Sequence, residues 1–131
     1  MELYVKNELV KELMNVSKKM LDDSEPAKKL YYYSAAYGIV DRTMRYEFNK
    51  QLLMAQTILN VTYNIYMERL KAIVGKDAVV PLTTAQLDKT AELVGRLGDA
   101  FDKDIDINDI LEKSCDAINY IRYLGYIETR T

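Results

Sequence analysis

The sequence predicts an all-α fold, an antiparallel four- or five-helix bundle with one long, largely uncharged central helix. Three observations carry that expectation. Seventeen consecutive residues, Gln51 to Met67, bear no charge. They lie inside a 48-residue stretch, Ala27 to Val74, with no proline and a single glycine, the two residues that most strongly punctuate secondary structure. Elsewhere apolar residues return at helical spacing, and no run alternates with the period of two that a half-buried strand needs.

The first helix is expected over residues 2 to 22. Leu9, Leu13, Val16 and Met20 fall at i, i+4, i+7 and i+11, one face of a helix. Lys18 and Lys19 stand in its last turns, where cations complement the helix dipole. The run Asp22-Asp23-Ser24-Glu25-Pro26 reads as a stop followed by a start, with Ser24 as N-cap and Pro26 in the first turn. A second helix then begins near Glu25. Unbroken to Val74 it would be about 72 Å long, twice the roughly 36 Å diameter of a domain of this size. The sequence therefore predicts a break around Glu47-Phe48-Asn49-Lys50, where the charges end. Gly75 supplies a C-terminal cap, and residues 76 to 82, with Pro81, form a linker. Thr83 and Gln86 have capping-box spacing, and Leu82 and Leu87 stand where a hydrophobic staple forms. The helix that follows runs to about Phe101, with Leu87, Ala91, Val94, Leu97 and Phe101 facing inward. Asp106 is the expected N-cap of a last helix whose stripe is Ile107, Ile110, Leu111, Ile118, Ile121 and Leu124, ended by Gly125.

Composition narrows the function classes. A chain of 131 residues fits one domain, residues 1–131. With 49% hydrophobic and 29% charged residues it is globular in composition. A net charge of −2 and a pI of about 5.2 give no general attraction to nucleic acid or to an anionic membrane. The first residues carry charges throughout and no apolar core of a secretory signal. The uncharged run is shorter than the roughly 20 residues of a membrane span and contains Gln51, Gln56, Asn60 and Asn64. A lone Cys115 fits a reducing compartment. No histidine is present, which removes the usual general base, the commonest transition-metal ligand and every Ser-His or Cys-His pair.

Five features could carry chemistry. Carboxylates gather between Asp99 and Asp116, and the i, i+3 pairs Asp99/Asp102 and Asp109/Glu112 could hold Mg²⁺, as in helical nucleotide pyrophosphohydrolases. The Asp102-x-Asp104-x-Asp106 run fails as an EF-hand, since Ile107 occupies the glycine position and Lys113 the final glutamate position. Helix punctuation accounts for the same acids. Tyr31, Tyr32, Tyr33 and Tyr37 lie near Lys28, Lys29, Arg42 and Arg45, types that could stack and neutralise a single strand of nucleic acid. Three successive tyrosines fan around a helix, however, which favours amphipathic packing with each hydroxyl at the rim. Ser34 and Gly38 form a small-xxx-small pair suited to a tight helix crossing. Gln56, Asn60 and Asn64 form an amide stripe, either a register-setting element between chains or simply a solvated face. Cys115 reads as a small core residue.

One segment carries a family resemblance. Residues 8 to 49 contain a helix, a short turn at Asp22 to Pro26, then Ala35-Ala36-Tyr37-Gly38-Ile39-Val40-Asp41. This resembles a set of small archaeal all-helical domains of unknown function, whose second helix carries an Ala-Tyr-Gly-Trp-Leu-Asp-like motif. Ala36, Tyr37, Gly38 and Asp41 match it, and Ile39 stands where the aromatic would be. The resemblance covers about a third of the chain. It implies an archaeal, cytoplasmic setting and assigns no site.

Together these readings give a self-associating helical structural or interaction protein, a homodimer with no catalytic, cofactor-binding or metal-binding residue assigned. A helix apolar on nearly all sides needs neighbours on all sides, and Leu52, Ile58, Leu59, Ile65 and Tyr66 are the expected intersubunit seam. The competing reading is a carboxylate-Mg²⁺ nucleotide pyrophosphohydrolase. No membrane or nucleic-acid partner is expected, and no small molecule is specified.

Overall fold

The computed structural model describes the backbone of residues 1–74 and 84–110 and the side chains of 1–64 and 87–109. The described residues form four helices and no strand: α1 (Leu3–Asp22), α2 (Pro26–Tyr46), α3 (Lys50–Val74) and α4 (Thr84–Asp102), then a short 3₁₀ turn, Ile107–Ile110. The capping box at Thr83, the linker with Pro81, the Gly75 cap, Cys115 and the helix expected beyond Ile110 lie outside them.

Local chemistry sets the ends. Helix α1 closes at Asp22, and the Asp23 amide bonds back to the Lys19 carbonyl at 3.1 Å. The Asp23 carboxylate accepts the Glu25 amide at 2.9 Å. Pro26 occupies the first position of α2. A proline disfavours helical geometry in the residue before it, so Glu25 is extended (φ −91°, ψ 118°) and becomes the cap. This corrects the expectation for Ser24: proline, not a capping hydroxyl, fixes the start of α2. The predicted break falls where expected, at Glu47, Phe48 and Asn49. Asn49 caps α3, its side-chain oxygen accepting the Gln51 amide at 2.7 Å and its carbonyl the Leu53 amide at 3.1 Å.

Helix α2 runs back along α1, so Tyr46 meets Tyr4, Arg42 pairs with Glu12, and Lys29 reaches Met20. Between α2 and α3, Asp41 accepts from the Gln56 amide nitrogen at 2.9 Å, and the Tyr33 hydroxyl donates to the Leu59 carbonyl at 2.5 Å. Helix α4 lies along α1, with Ser17 donating to the Ala91 carbonyl at 2.7 Å and Lys6 pairing with Asp104 at 3.0 Å. Helix α1 packs on α2 and α4. Among the described residues helix α3 packs chiefly on α2, with lighter contact to α4 and the 3₁₀ turn and no backbone approach to α1.

The core follows the predicted stripes. Leu9, Leu13, Val16 and Met20 of α1 and Leu87, Ala91, Val94, Leu97 and Phe101 of α4 are buried. Complete burial of such a side chain contributes about 1.5–3 kcal/mol. On α2 the buried stripe is Lys29, Tyr33, Ala36, Val40 and Thr43. Lys29, only 2% exposed, donates to the Met20 carbonyl and to the Asp88 carboxylate at 2.8 Å. Met20 carries one of the last four carbonyls of α1, which lack partners within the helix. The ammonium therefore ties the end of α1 and the beginnings of α2 and α4 with one charge, placed where the α1 dipole favours a cation.

The tight crossing is not where the small-residue pair on α2 suggested. Gly38 is exposed, with nothing within 4 Å of a Cβ built on it. The close approach is instead between α1 and α4. A Cβ on Gly95 would lie 2.9 Å from the Ser17 hydroxyl oxygen, and one on Gly98 2.9 Å from the Met14 sulfur and 3.3 Å from the Leu13 Cβ. The two glycines therefore predict opposite outcomes. Gly38→Ala should raise stability by about 0.5–1 kcal/mol through helix propensity alone. Gly95→Ala gains the same propensity but displaces the Ser17 hydroxyl from its bond to Ala91, and overpacking costs about 1–3 kcal/mol. Denaturation midpoints should therefore move up for Gly38→Ala and down for Gly95→Ala, and movement of both in the same direction would contradict the α1–α4 crossing.

Candidate functional site

Two surfaces remain after the core is built. One is the exposed face of α3. On this helix Leu52, Ala55, Ile58, Leu59 and Thr62 are buried, while Leu53, Thr57, Asn60, Val61 and Asn64 are exposed. At 100° per residue the exposed five span an arc of about 100° centred opposite the buried five. The Thr57 and Thr62 hydroxyls bond back to the Leu53 and Ile58 carbonyls at 2.9 and 2.8 Å, which removes their donors from competition with water. The uncharged run is thus an amphipathic helix over this stretch whose outward face happens to carry no ionised group.

This placement corrects the expected seam. Leu52 and Leu59 are fully buried and Ile58 is 7% exposed within one chain, so they form its own core and are not available to a second copy. The side chains of Ile65 and Tyr66 lie outside those described. The amide stripe resolves as a mostly solvated face: Asn60 and Asn64 are exposed, and half-buried Gln56 is held by Asp41.

The other surface is the end of the bundle where the start of α1, the α2–α3 link and the loop after α4 converge. It holds a cleft of about 530 Å³ whose lining includes Leu3, Lys6, Gln51, Phe101, Asp104 and Ile105. Gln51 ties the link to the loop, accepting the Ile107 amide at 2.6 Å and donating to Asp106 at 3.3 Å. Asp106 accepts the Asn108 amide at 2.9 Å, so it does cap, though what it caps among the described residues is the 3₁₀ turn. Helix α4 ends with Asp104 in the left-handed region (φ 54°) and the Ile105 amide bonded to the Ala100 carbonyl at 2.9 Å, a helix stop usually built on glycine. Beside the cleft lies a shallow groove of about 280 Å³ lined by Tyr4, Val5, Glu8, Leu9, Arg42, Thr43 and Tyr46. Its two tyrosine hydroxyls share a hydrogen bond.

The remaining candidates disperse. Asp99 pairs with Lys103 at 3.1 Å, Asp104 with Lys6, and Asp106 caps a turn. Among the described residues no three acids or cysteines are grouped to hold a metal. Of the tyrosine run, Tyr31 is exposed and stands edge-on to Tyr32, which lies under the Lys19 ammonium at 5.8 Å. Tyr33 alone is buried. Its hydroxyl sits in the core on Leu59, not at the rim, and its ring stacks on Tyr63. No described helix is long and apolar enough to cross a membrane. No protein family, curated protein or solved structure matches the chain.

Two outcomes test this geometry. A left-handed non-glycine residue costs about 1–2 kcal/mol, and an exposed ion pair such as Lys6–Asp104 contributes at most about 1 kcal/mol. Asp104→Gly should therefore raise the denaturation midpoint slightly, and Asp104→Ala, which keeps the strain and loses the ion pair, should lower it. The Tyr4 hydroxyl is pushed up to about 12, first by its hydrogen bond to Tyr46 and further by the charge of Glu2. The fold therefore favours the neutral phenol. Whatever this contributes to stability is present below the ordinary tyrosine value near 10 and is lost as pH rises toward 12. In an ultraviolet titration, Tyr4→Phe should remove a phenolate that forms late, and loss of an ordinary one instead would refute the pairing.

Proposed function

We propose that the protein is a homotypic interaction module: an antiparallel helical bundle whose long helix α3 pairs with α3 of a second copy. The observation that supports this best is the exposed, charge-free stripe Leu53, Thr57, Asn60, Val61 and Asn64. Solvated helix faces ordinarily carry charges, and depletion of charge marks the centre of interfaces. A face with neither sign does not repel its own copy. Its asparagines, Asn60 and Asn64, suit self-pairing as well, because an amide both donates and accepts.

The register follows from helical spacing. Lys50 lies just before the stripe on the same line of the helix, and residue 68, a glutamate, lies eighteen positions on, five turns later. An antiparallel copy centred at residue 59 sets residue 50 of one chain against residue 68 of the other, Thr57 against Val61, and both Asn60 amides beside the two-fold axis. The span from residue 50 to residue 68 is about 27 Å long on a helix roughly 10 Å across. That is well below the roughly 800 Å² per partner of a standard interface, so association through it alone is weak, micromolar or weaker. The resemblance of residues 8 to 49 to archaeal helical domains adds a cytoplasmic setting to this reading.

Light scattering across a concentration series tests it. The mass should rise from about one chain of 15.2 kDa toward two as concentration increases. Val61→Lys should leave a folded helical monomer at all concentrations. Lys50→Glu should weaken association, and Lys50→Glu with Glu68→Lys should restore it. Ile58→Lys buries an unpaired ammonium in the chain's own core, at a cost of several kcal/mol, and should unfold it. A concentration-independent mass of one chain for the parent protein would end the proposal.

A further inference from the structure

The cleft end of the bundle carries a second surface, and its reading does not depend on α3 pairing. Among the described residues, five large hydrophobic side chains are more than half exposed: Leu3, Tyr4, Tyr31, Tyr46 and Phe48. Four of the five stand at this end, contributed by the first turn of α1 and the α2–α3 link, and Ile105, 40% exposed, continues the patch across the cleft. The patch is held in place from beneath. Glu47 accepts the Glu2 amide at 3.3 Å, the Tyr4 and Tyr46 hydroxyls are bonded, and Gln51 fixes the loop that carries Ile105. Exposed apolar groups that are fixed, contiguous and rimmed by polar residues mark docking sites, and tyrosines are prominent among side chains that anchor partners.

The charge around the patch selects the partner. The three segments that build this end, residues 1–6, 46–50 and 102–109, contain Glu2, Glu47, Asp102, Asp104, Asp106 and Asp109 against Lys6, Lys50 and Lys103. Lys6 is paired with Asp104, the Met1 ammonium with Glu47 and Lys103 with Asp99, which leaves Glu2, Asp102, Asp106 and Asp109 against Lys50. The rim is therefore acidic around an apolar centre. A second copy presenting the same end would set acid against acid, which costs affinity and slows encounter. We propose that this end docks a basic amphipathic protein segment, its apolar side chains seated over Leu3, Phe48 and the cleft and its lysines or arginines against Asp102, Asp106 and Glu2.

The test uses the intact chain and a fluorescent fourteen-residue peptide of leucines and lysines at helical spacing, with a leucine–glutamate peptide as control. Anisotropy should show saturable binding of the lysine peptide and none of the glutamate peptide. Raising NaCl from about 0.05 to 0.5 M should weaken binding severalfold, because the contacts are exposed ion pairs. Leu3→Ser with Phe48→Ser removes two exposed side chains, keeps the net charge, and should leave the melting temperature unchanged while weakening binding about tenfold or more. Val61→Lys, which breaks only the α3 pairing, should bind the peptide as the parent does. Absence of binding, equal binding of the two peptides, or binding unaltered in the Leu3→Ser, Phe48→Ser variant would overturn the proposal. So would a loss of self-association in that variant, which would assign the surface to a second copy.

Discussion

The close approach of α1 and α4 is the constraint on which the rest of the bundle depends. It joins segments far apart in sequence, and it works because Gly95 and Gly98 present no side chain to Ser17, Met14 and Leu13. Backbones brought this near exclude water from two full stripes, Leu9 to Met20 on one side and Leu87 to Phe101 on the other. The Ser17 hydroxyl, which would be a penalty if buried unpaired, is satisfied by the Ala91 carbonyl. With α1 and α4 joined, α2 has one place to pack, against both, and α3 is left to pack mainly on α2.

That hierarchy explains why α3 differs from its neighbours. A helix enclosed on two or three sides can spend its apolar residues inward. A helix supported mainly by one neighbour leaves a wide outer face, and this face carries threonine, asparagine, leucine and valine where a monomer would ordinarily place lysine and glutamate. Burial of Leu52, Ala55, Ile58 and Leu59 within the chain shows that the missing charges are not a requirement of the core. They belong to the outside of the helix, and the outside is where an account of them has to be sought.

Much of the fold was legible from local rules. Apolar spacing placed the inner faces of α1 and α4 residue by residue, and the loss of charge after Lys50, set against the length an unbroken helix would have, placed the break that Asn49 caps. What the sequence obscured has a common cause: a residue's meaning there depends on what lies opposite it. Ser34 and Gly38 look like a crossing, yet both are exposed and a Cβ on Gly38 would meet nothing, while Gly95 and Gly98 make the crossing. Lys29 reads as a surface cation beside tyrosines. Only its position four residues before Tyr33 and seven before Ala36 put it on the buried stripe, and that signal was available. Leu52, Ile58 and Leu59 read as an intersubunit seam only if the uncharged run is apolar all round. Separating its faces at 100° per residue would have moved that seam to Leu53, Thr57, Asn60, Val61 and Asn64.

The two free surfaces divide along electrostatic lines, and that division is itself an argument about what each can accept. A face without charge neither attracts nor repels at a distance, so its partner must be matched by shape and by hydrogen bonds that serve as both donor and acceptor. Its own copy satisfies that demand most simply. The cleft end has the opposite character. Leu3, Tyr4, Tyr46 and Phe48 present apolar area in segments that also carry Glu2, Asp102, Asp106 and Asp109, and this excess of acid disfavours a second copy while favouring a cation at distances near the Debye length, about 8–10 Å in ordinary salt. The two surfaces lie on different parts of the fold, the flank of α3 and the end of the bundle, so occupation of one need not obstruct the other. A chain that pairs along α3 and leaves its acidic ends free would present two equivalent docking sites related by the two-fold axis, turning a weak single-site attraction into bivalent capture of any partner long enough to span them.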